Sequence, residues 1–247
     1  MSVAETAQPG TLRRSIALFR AFRVEQTDPD RFYGLLAADS VRQVSGYRTL
    51  AGTTVLDVGG GPGYFADAFR GAGARYVAID ADLGELSARG AVEPGTVLGS
   101  GTAVPIRTGA VDVCYSSNVL EHVAEPERMA EEMVRVTRPG GLVFLSYTTW
   151  LSPWGGHETA PWHYLGGHYA ARRYQQRRGK PPKNRYGESL FALSAARMLR
   201  WARTCPRVEV IDALPRYHPR WAAWIVRVPV VREVAVWNLA LVLRVAP

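Results

Sequence analysis

The chain has 247 residues, 47% of them hydrophobic, which is enough for one α/β core and calls for no second independent domain. Two cysteines, Cys114 and Cys205, exclude a disulfide framework and match no cysteine-based metal spacing; Arg20 interrupts the only early apolar run, so no signal-peptide core forms and a reducing cytoplasm is the expected location. The net charge of +8 is uneven, with 14 arginines against 17 carboxylates in residues 1–150 and 16 basic against 5 acidic side chains in residues 151–247, so the second half favours acidic partners such as an anionic membrane surface, a phosphorylated or carboxylated substrate, or nucleic acid.

Residues 1–10 read as a disordered tail. Thr11 to Glu25 reads as a basic helix whose stripe of Leu12, Ile16, Phe19 and Arg23 packs on the domain, with a lid or a lipid contact as the alternative. Asp30 to Leu50 continues helically, and Phe32-Tyr33-Gly34 reads as core packing, with the lining of a ligand pocket as the alternative.

The run from Val55 to Phe65 then dominates the chain. Apolar residues at 55, 56 and 58 suit a parallel strand covered on both faces, and Phe65, Ala68 and Phe69 have helical spacing. Between them lie Gly59, Gly60, Gly61 and Gly63, a turn where backbone can approach a ligand. The dinucleotide pattern is broken, because Tyr64 stands where G-x-G-x-x-G needs its last glycine. Asp57, just before the loop, suits an ammonium or sulfonium better than a pyrophosphate.

Arg75 to Ile79, Thr96 to Leu98, Val111 to Tyr115 and Leu142 to Ser146 read as further strands separated by helical stretches, which predicts a doubly wound parallel sheet. Ligand is expected beyond the strands' C-terminal ends, where Asp57, Asp80, Ser100 and Asn118 fall. Glu121 and His122 are adjacent and are expected to diverge on a helix, so no metal site is assigned there.

Asp57-x-Gly59-x-Gly61-x-Gly63 resembles the first motif of class I S-adenosylmethionine-dependent methyltransferases. Tyr76 to Asp80, Val97 to Thr102, Val111 to Val123 and Arg138-Pro139-Gly140-Gly141 resemble four further landmarks of that family in the same order, over about residues 50 to 150. The resemblance implies a seven-stranded, Rossmann-like sheet with the last two strands antiparallel, and S-adenosylmethionine as cofactor. It implies that Asp57, Gly59, Gly61 and Gly63 hold its amino-acid part, Asp80 the ribose, and Ser100, Gly101 and Thr102 the adenine, with Asn118 also at the site. Ser100-Gly101 replaces the acidic residue that many relatives carry, which weakens the expected grip on adenine.

Residues 150–190 leave the common core and read as a substrate cover. They hold His157, Glu158, His163 and His168 among Trp154, Trp162 and Tyr164. Methyl transfer to a hydroxyl needs a proton removed near neutral pH, so His157 is the first candidate base, followed by Glu158 and His163. Arg172 to Arg185 form a basic run suited to a phosphate or lipid head group, and zinc is not favoured by the histidine spacing.

Ser194 opens a helix to Arg203, and Val208 to Ile211 with Leu239 to Val245 read as the last strands. Between them Trp221, Trp224, Val230 and Trp237 alternate with Arg220, Arg227 and Arg232; this suits an apolar insertion over the sheet, a homodimer contact or a lipid interface. Charges and Pro229 divide this stretch too finely for a membrane span.

The chain is thus expected to be one methyltransferase domain: N-terminal helices over 1–50, a cofactor core over 51–149, the cover over 150–190, and the last helix and strands over 191–247. Expected acceptors are a small molecule, lipid or glycan, methylated at oxygen, with peripheral contact at the inner membrane surface. RNA is the less favoured acceptor, because Ser116-Ser117-Asn118 lacks the Asn-Pro-Pro-aromatic pattern of base methylation. The rival reading is a non-catalytic module of the same fold that binds cofactor or lipid.

Overall fold

The computed structural model describes residues 10–25, 27–90 and 92–247. The reading of residues 1–10 as a tail falls outside it up to residue 9; Gly10 itself is ordered, its carbonyl accepting from Arg220 N at 2.7 Å. The strands are β1 (Thr54–Val58), β2 (Arg75–Asp80), β3 (Thr96–Leu98), β4 (Val111–Ser117), β5 (Thr137–Thr148), β6 (Val208–Pro215) and β7 (Asn238–Val245). They form one sheet in the order β3-β2-β1-β4-β5-β7-β6, parallel except that β7 runs antiparallel to both neighbours. The helices are α1 (Leu12–Phe22), α2 (Pro29–Ser45), α3 (Ala66–Gly71), α4 (Leu83–Leu86), α5 (Pro126–Val136), α6 (Gly167–Arg178), α7 (Ala195–Thr204) and α8 (Val231–Ala235).

The sheet is covered on both sides because its central strands carry apolar side chains on both faces. Leu56, Val143, Leu145, Leu241 and Leu243 point to one face, where Met129 and Met133 of α5 and Met198 and Leu199 of α7 meet them. Val55, Phe144 and Val242 point to the other, against Leu36 of α2 and Phe65 and Phe69 around α3. This alternation is what a doubly wound sheet requires.

Two local expectations are corrected. Arg138-Pro139-Gly140-Gly141, ahead of the strand expected from Leu142, is taken into β5: pairing with β4 jumps from Val111↔Thr137 to Val113↔Leu142, and Gly140, at φ +70°, lets the strand bulge. The expected packing stripe of α1 points outward instead, with Leu12, Ile16 and Phe19 exposed and Leu18 and Ala21 buried. The helix is fixed by charge: Arg14 makes a bidentate pair with Asp39 at 2.7 and 2.6 Å and donates to the Arg216 carbonyl at 2.9 Å.

Arg216 itself, just after β6, is fully buried. Its Nη1 donates to Ser117 Oγ and Ser146 Oγ at 2.6 and 2.5 Å, and its Nη2 to Ser40 Oγ and Tyr115 Oη at 2.6 and 3.0 Å. One side chain thereby ties α2 and the ends of β4 and β5 together, immediately behind the strand ends.

Candidate active site

β1 ends at Val58 and the chain turns through three glycines with positive φ, +82° at Gly59, +51° at Gly61 and +82° at Gly63. A side chain at Gly59 would collide with Val119, whose Cγ2 lies 2.3 Å from the Cβ position, whereas the space over Gly61 is open. The loop amides are already engaged. Gly59 N and Gly60 N donate to the Ile79 carbonyl, Gly63 N to Gly60 and Gly61 N to the Asp80 carboxylate at 3.0 Å; Pro62 has no N–H to offer. A loop with its donors spent internally is poorly suited to a pyrophosphate, which binds through such amides. Two carboxylates, Asp57 and Asp80, flank it instead, and that donor set fits the cationic S-adenosylmethionine.

Asp57 is buried beneath the loop, where Tyr76 Oη donates to it at 2.7 Å. Burial pushes its carboxyl up to about 7, against the Tyr76 hydrogen bond, which pulls it down; the negative charge of Asp80 adds to the rise. Asp80, at the end of β2, also accepts from Asp82 N at 2.9 Å, so each of its oxygens keeps a lone pair for a hydroxyl. Beyond β3, Ser100 Oγ and Thr102 Oγ1 are 2.8 Å apart, and Gly101 lies close to Val58 and Met129, whose atoms stand 3.1 and 3.2 Å from its Cβ position. Tyr33 of α2 stacks on Tyr64 of the loop at 4.6 Å, and Arg89 lies over the Tyr64 ring at 4.5 Å.

Asn118 follows β4 with φ +57°, unusual for a residue with a side chain. Its amide is held on three sides: the backbone N donates to the Ser146 carbonyl at 2.8 Å, Oδ1 accepts from Asn238 at 2.7 Å, and Nδ2 reaches Tyr217 Oη at 3.3 Å. This aims Val119 at Gly59 and starts the 3-10 turn Leu120–His122.

The expectation that Glu121 and His122 diverge does not hold. The turn ends at once in extended Val123, so regular helical directions never develop. A Glu121 carboxylate oxygen and one ring nitrogen each of His122 and His157 all lie within 4.8 Å of one another. His157 comes from the segment after β5, with φ +49° and its ring 5.0 Å from that of His122. Burial pushes its imidazole below the ordinary range, while the nearby Glu121 charge works the other way.

The other two candidate bases are engaged elsewhere. Glu158 accepts from Asn184 N and Nδ2 at 2.8 and 2.9 Å; burial raises its carboxyl, but these bonds outweigh that and leave it below the ordinary range. His163 is 1% exposed, packs on Trp150 and has Nε2 3.1 Å from the Ser152 carbonyl. Neither is brought to the cluster, and their geometry is that of groups holding the segment together. His168 lies against Tyr186.

Sequence reasoning missed Tyr76, Tyr217 and Asn238, which hold Asp57 and Asn118, and missed the pairing of His122 with His157. A hint was available: Gly155 and Gly156 precede His157, and a Cβ on Gly155 would lie 1.9 Å from the Trp150 carbonyl oxygen, so this backbone folds back tightly.

A family model described as Methyltransferase domain matches residues 56–145. The chain is 59% identical to an uncharacterised methyltransferase of Mycolicibacterium gilvum, with 95% of each chain covered, and 54% identical to one of Mycobacteroides abscessus, with 96% of each covered. Among solved structures it is similar to the methyltransferase in a complex with the Haloferax volcanii Trm112 methyltransferase activator. That likeness has a TM-score of 0.57 and 17% identity, over 94% of this chain and 97% of that one. An S-adenosylmethionine dependent methyltransferase from Mesorhizobium loti matches with a TM-score of 0.54 and 15% identity, over 86% and 97%. At these identities the two structural likenesses speak to the fold.

Proposed function

The chain belongs to the class I S-adenosylmethionine-dependent methyltransferases, and we propose that it methylates an oxygen of a small molecule, lipid or glycan. The observation that carries this reading is the Glu121–His122–His157 cluster, whose first two members lie two and three residues beyond Val119, the residue packed against Gly59. The sulfonium already activates the methyl group, so the protein has to align acceptor oxygen, carbon and sulfur, exclude water and remove one proton. Nitrogen acceptors that are neutral amines need less help with deprotonation, so a cluster of proton-accepting groups favours a hydroxyl or carboxyl. In this reading the proton leaves at the cluster, with His157 first among its groups. With the labelled cofactor and an acceptor extract, His157→Ala should lower methyl transfer about 10²–10⁴-fold. An unchanged rate would remove the cluster from the reaction.

For the cofactor, the reading assigns Gly59, Gly61 and Gly63 to its amino-acid part, Asp80 to the ribose and Ser100, Gly101 and Thr102 to the adenine, with Asn118 shaping the wall. Asp57 acts through the loop as a buried counter-charge. Because its carboxyl titrates at about 7 in the free protein, a bound cation should favour the ionised form and expel a proton. Affinity for S-adenosylmethionine should therefore rise with pH up to about 7, by at most one decade per pH unit, and level off above it. Calorimetric titration across that range checks this; Asp57→Asn should flatten the curve, and a flat wild-type curve would refute the coupling.

Peripheral membrane contact is supported by a specific surface. Trp221, Trp224 and Val230 are exposed, as are Leu12, Ile16 and Phe19 of α1, and the two segments begin side by side through the Gly10–Arg220 bond. Exposed Arg13, Arg20 and Arg227 are interspersed, the pairing of rings and cations that suits an anionic lipid interface. Among the described residues no helix is long and apolar enough to cross a membrane.

A further inference from the structure

The cluster beside the cofactor loop is held from outside and unsatisfied inside. Glu121 is 1% exposed; its Oε1 accepts from Thr148 N at 2.9 Å, and Oε2 is buried with no hydrogen-bond partner among the described residues. Leaving a buried carboxylate oxygen unpaired is costly, so the position calls for a donor or a cation. The backbone is pinned as well, because Phe191 N donates to the Glu121 carbonyl at 2.8 Å.

His122 supplies the second half of the argument. Its Nδ1 lies 2.6 Å from the Ser189 carbonyl oxygen. A carbonyl only accepts, so Nδ1 carries the hydrogen and the lone pair is on Nε2. This is the arrangement by which proteins orient a metal-binding imidazole, with the far nitrogen donating to a backbone carbonyl. His157 repeats it more loosely, with Nδ1 3.4 Å from the Gly155 carbonyl. Two imidazoles and one carboxylate thus converge, with ligand atoms within 4.8 Å. Two ligands at about 2.1 Å from a tetrahedral ion stand about 3.4 Å apart, so ring rotations of about an ångström close the shell.

We infer that Glu121, His122 and His157 bind one divalent first-row transition cation through one oxygen and two nitrogens, leaving positions open on the side where the two imidazoles reach the surface. Two nitrogen ligands in three select zinc, cobalt, nickel or iron over magnesium and calcium, which prefer all-oxygen shells. The site stands on its own geometry; its role rests on the oxygen-methylation reading. An acceptor hydroxyl on the cation is acidified and gives its proton to water. Its lone pair then forms the bond to the methyl carbon as the carbon–sulfur bond breaks and its electron pair goes to sulfur. With the site filled, His157 would serve as a ligand, and the bound cation would do for the acceptor proton what His157 does as a free base when the site is empty.

The test is titration of chelator-treated, full-length protein with Zn²⁺ by calorimetry and with Co²⁺ by visible absorption. The expected result is one equivalent bound, with Co²⁺ ligand-field bands of a low-coordinate nitrogen and oxygen site. Glu121→Gln, His122→Ala and His157→Ala should each weaken binding by about 100-fold or more, since even outer-shell changes cost about 10- to 100-fold. His168→Ala should bind as wild type, and S-adenosylmethionine titration of each variant checks that the cofactor site is intact. Absence of stoichiometric uptake, or equal uptake by the three ligand variants, would overturn the site. Undiminished oxygen methylation by metal-stripped protein would overturn the cation's role while leaving the acceptor reading in place. Metal uptake with methyl found on nitrogen or carbon would overturn the oxygen reading, and the cation's role with it, while leaving the site in place.

Discussion

Arg216→Ala should be the most destabilising single change in this protein, lowering the melting temperature by about 10–15 °C. Among the described residues the side chain is the largest that is completely buried, and four hydroxyls, on Ser40, Ser117, Ser146 and Tyr115, accept from it. Truncation opens a cavity and strands those oxygens in the core. Breaking such a buried charged network costs about 3–5 kcal/mol, and at this chain length each kcal/mol moves the transition by about 2–4 °C. Arg216→Met should lose less, because it refills the volume and removes the desolvated charge along with its bonds. Thermal unfolding of the three proteins decides the matter; a shift of a few degrees for alanine would show that the hydroxyls satisfy one another without the guanidinium.

Gly59→Ala should reduce S-adenosylmethionine affinity by about 100-fold or more while the sheet stays folded. Two costs add at this position. A side chain at φ +82° is strained by about 1–3 kcal/mol, and its Cβ would stand 2.3 and 2.8 Å from the Val119 γ-carbons, an overpacking of about 1–3 kcal/mol. Either the loop lifts or Val119 retreats, and Asn118 and Glu121 move with it. Each 1.4 kcal/mol is tenfold in affinity. Adding Val119→Ala removes the clash but not the dihedral strain, so the double variant should regain part of the loss in calorimetric titration. Wild-type affinity in the single variant would mean that the cofactor does not depend on this turn.

The glycine loop was legible in the sequence because its constraint is local. An apolar strand, an acid and glycines in fixed order dictate a turn without side chains wherever the chain happens to be placed. The seven strands and the antiparallel last pair came with the family resemblance, and the alternation of Leu56 against Val55 or Val143 against Phe144 carried the two-sided core. What escaped was set by contacts distant in sequence. Whether the Leu12–Phe19 stripe or Leu18 and Ala21 faced inward depended on Arg14 finding Asp39. The three histidines of the segment after β5 look equivalent as letters. Only folding shows that His163 is spent on Ser152 and packing, that His168 lies on Tyr186, and that His157 alone returns to Glu121 and His122. The adjacency of Glu121 and His122 misled because helical divergence was assumed where the chain makes a single 3-10 turn.

The most direct test of the account is where the methyl group lands. The protein, S-adenosylmethionine carrying a ¹³C methyl group and a lipid and glycan extract would be incubated together, and the new methyl carbon signals read by NMR. The account predicts a signal in the methyl ether or methyl ester region, lost with His157→Ala and absent without protein. Signals confined to the N-methyl or aliphatic C-methyl regions would contradict oxygen as the acceptor, and no labelled product in the extract would contradict a lipid or glycan as the substrate.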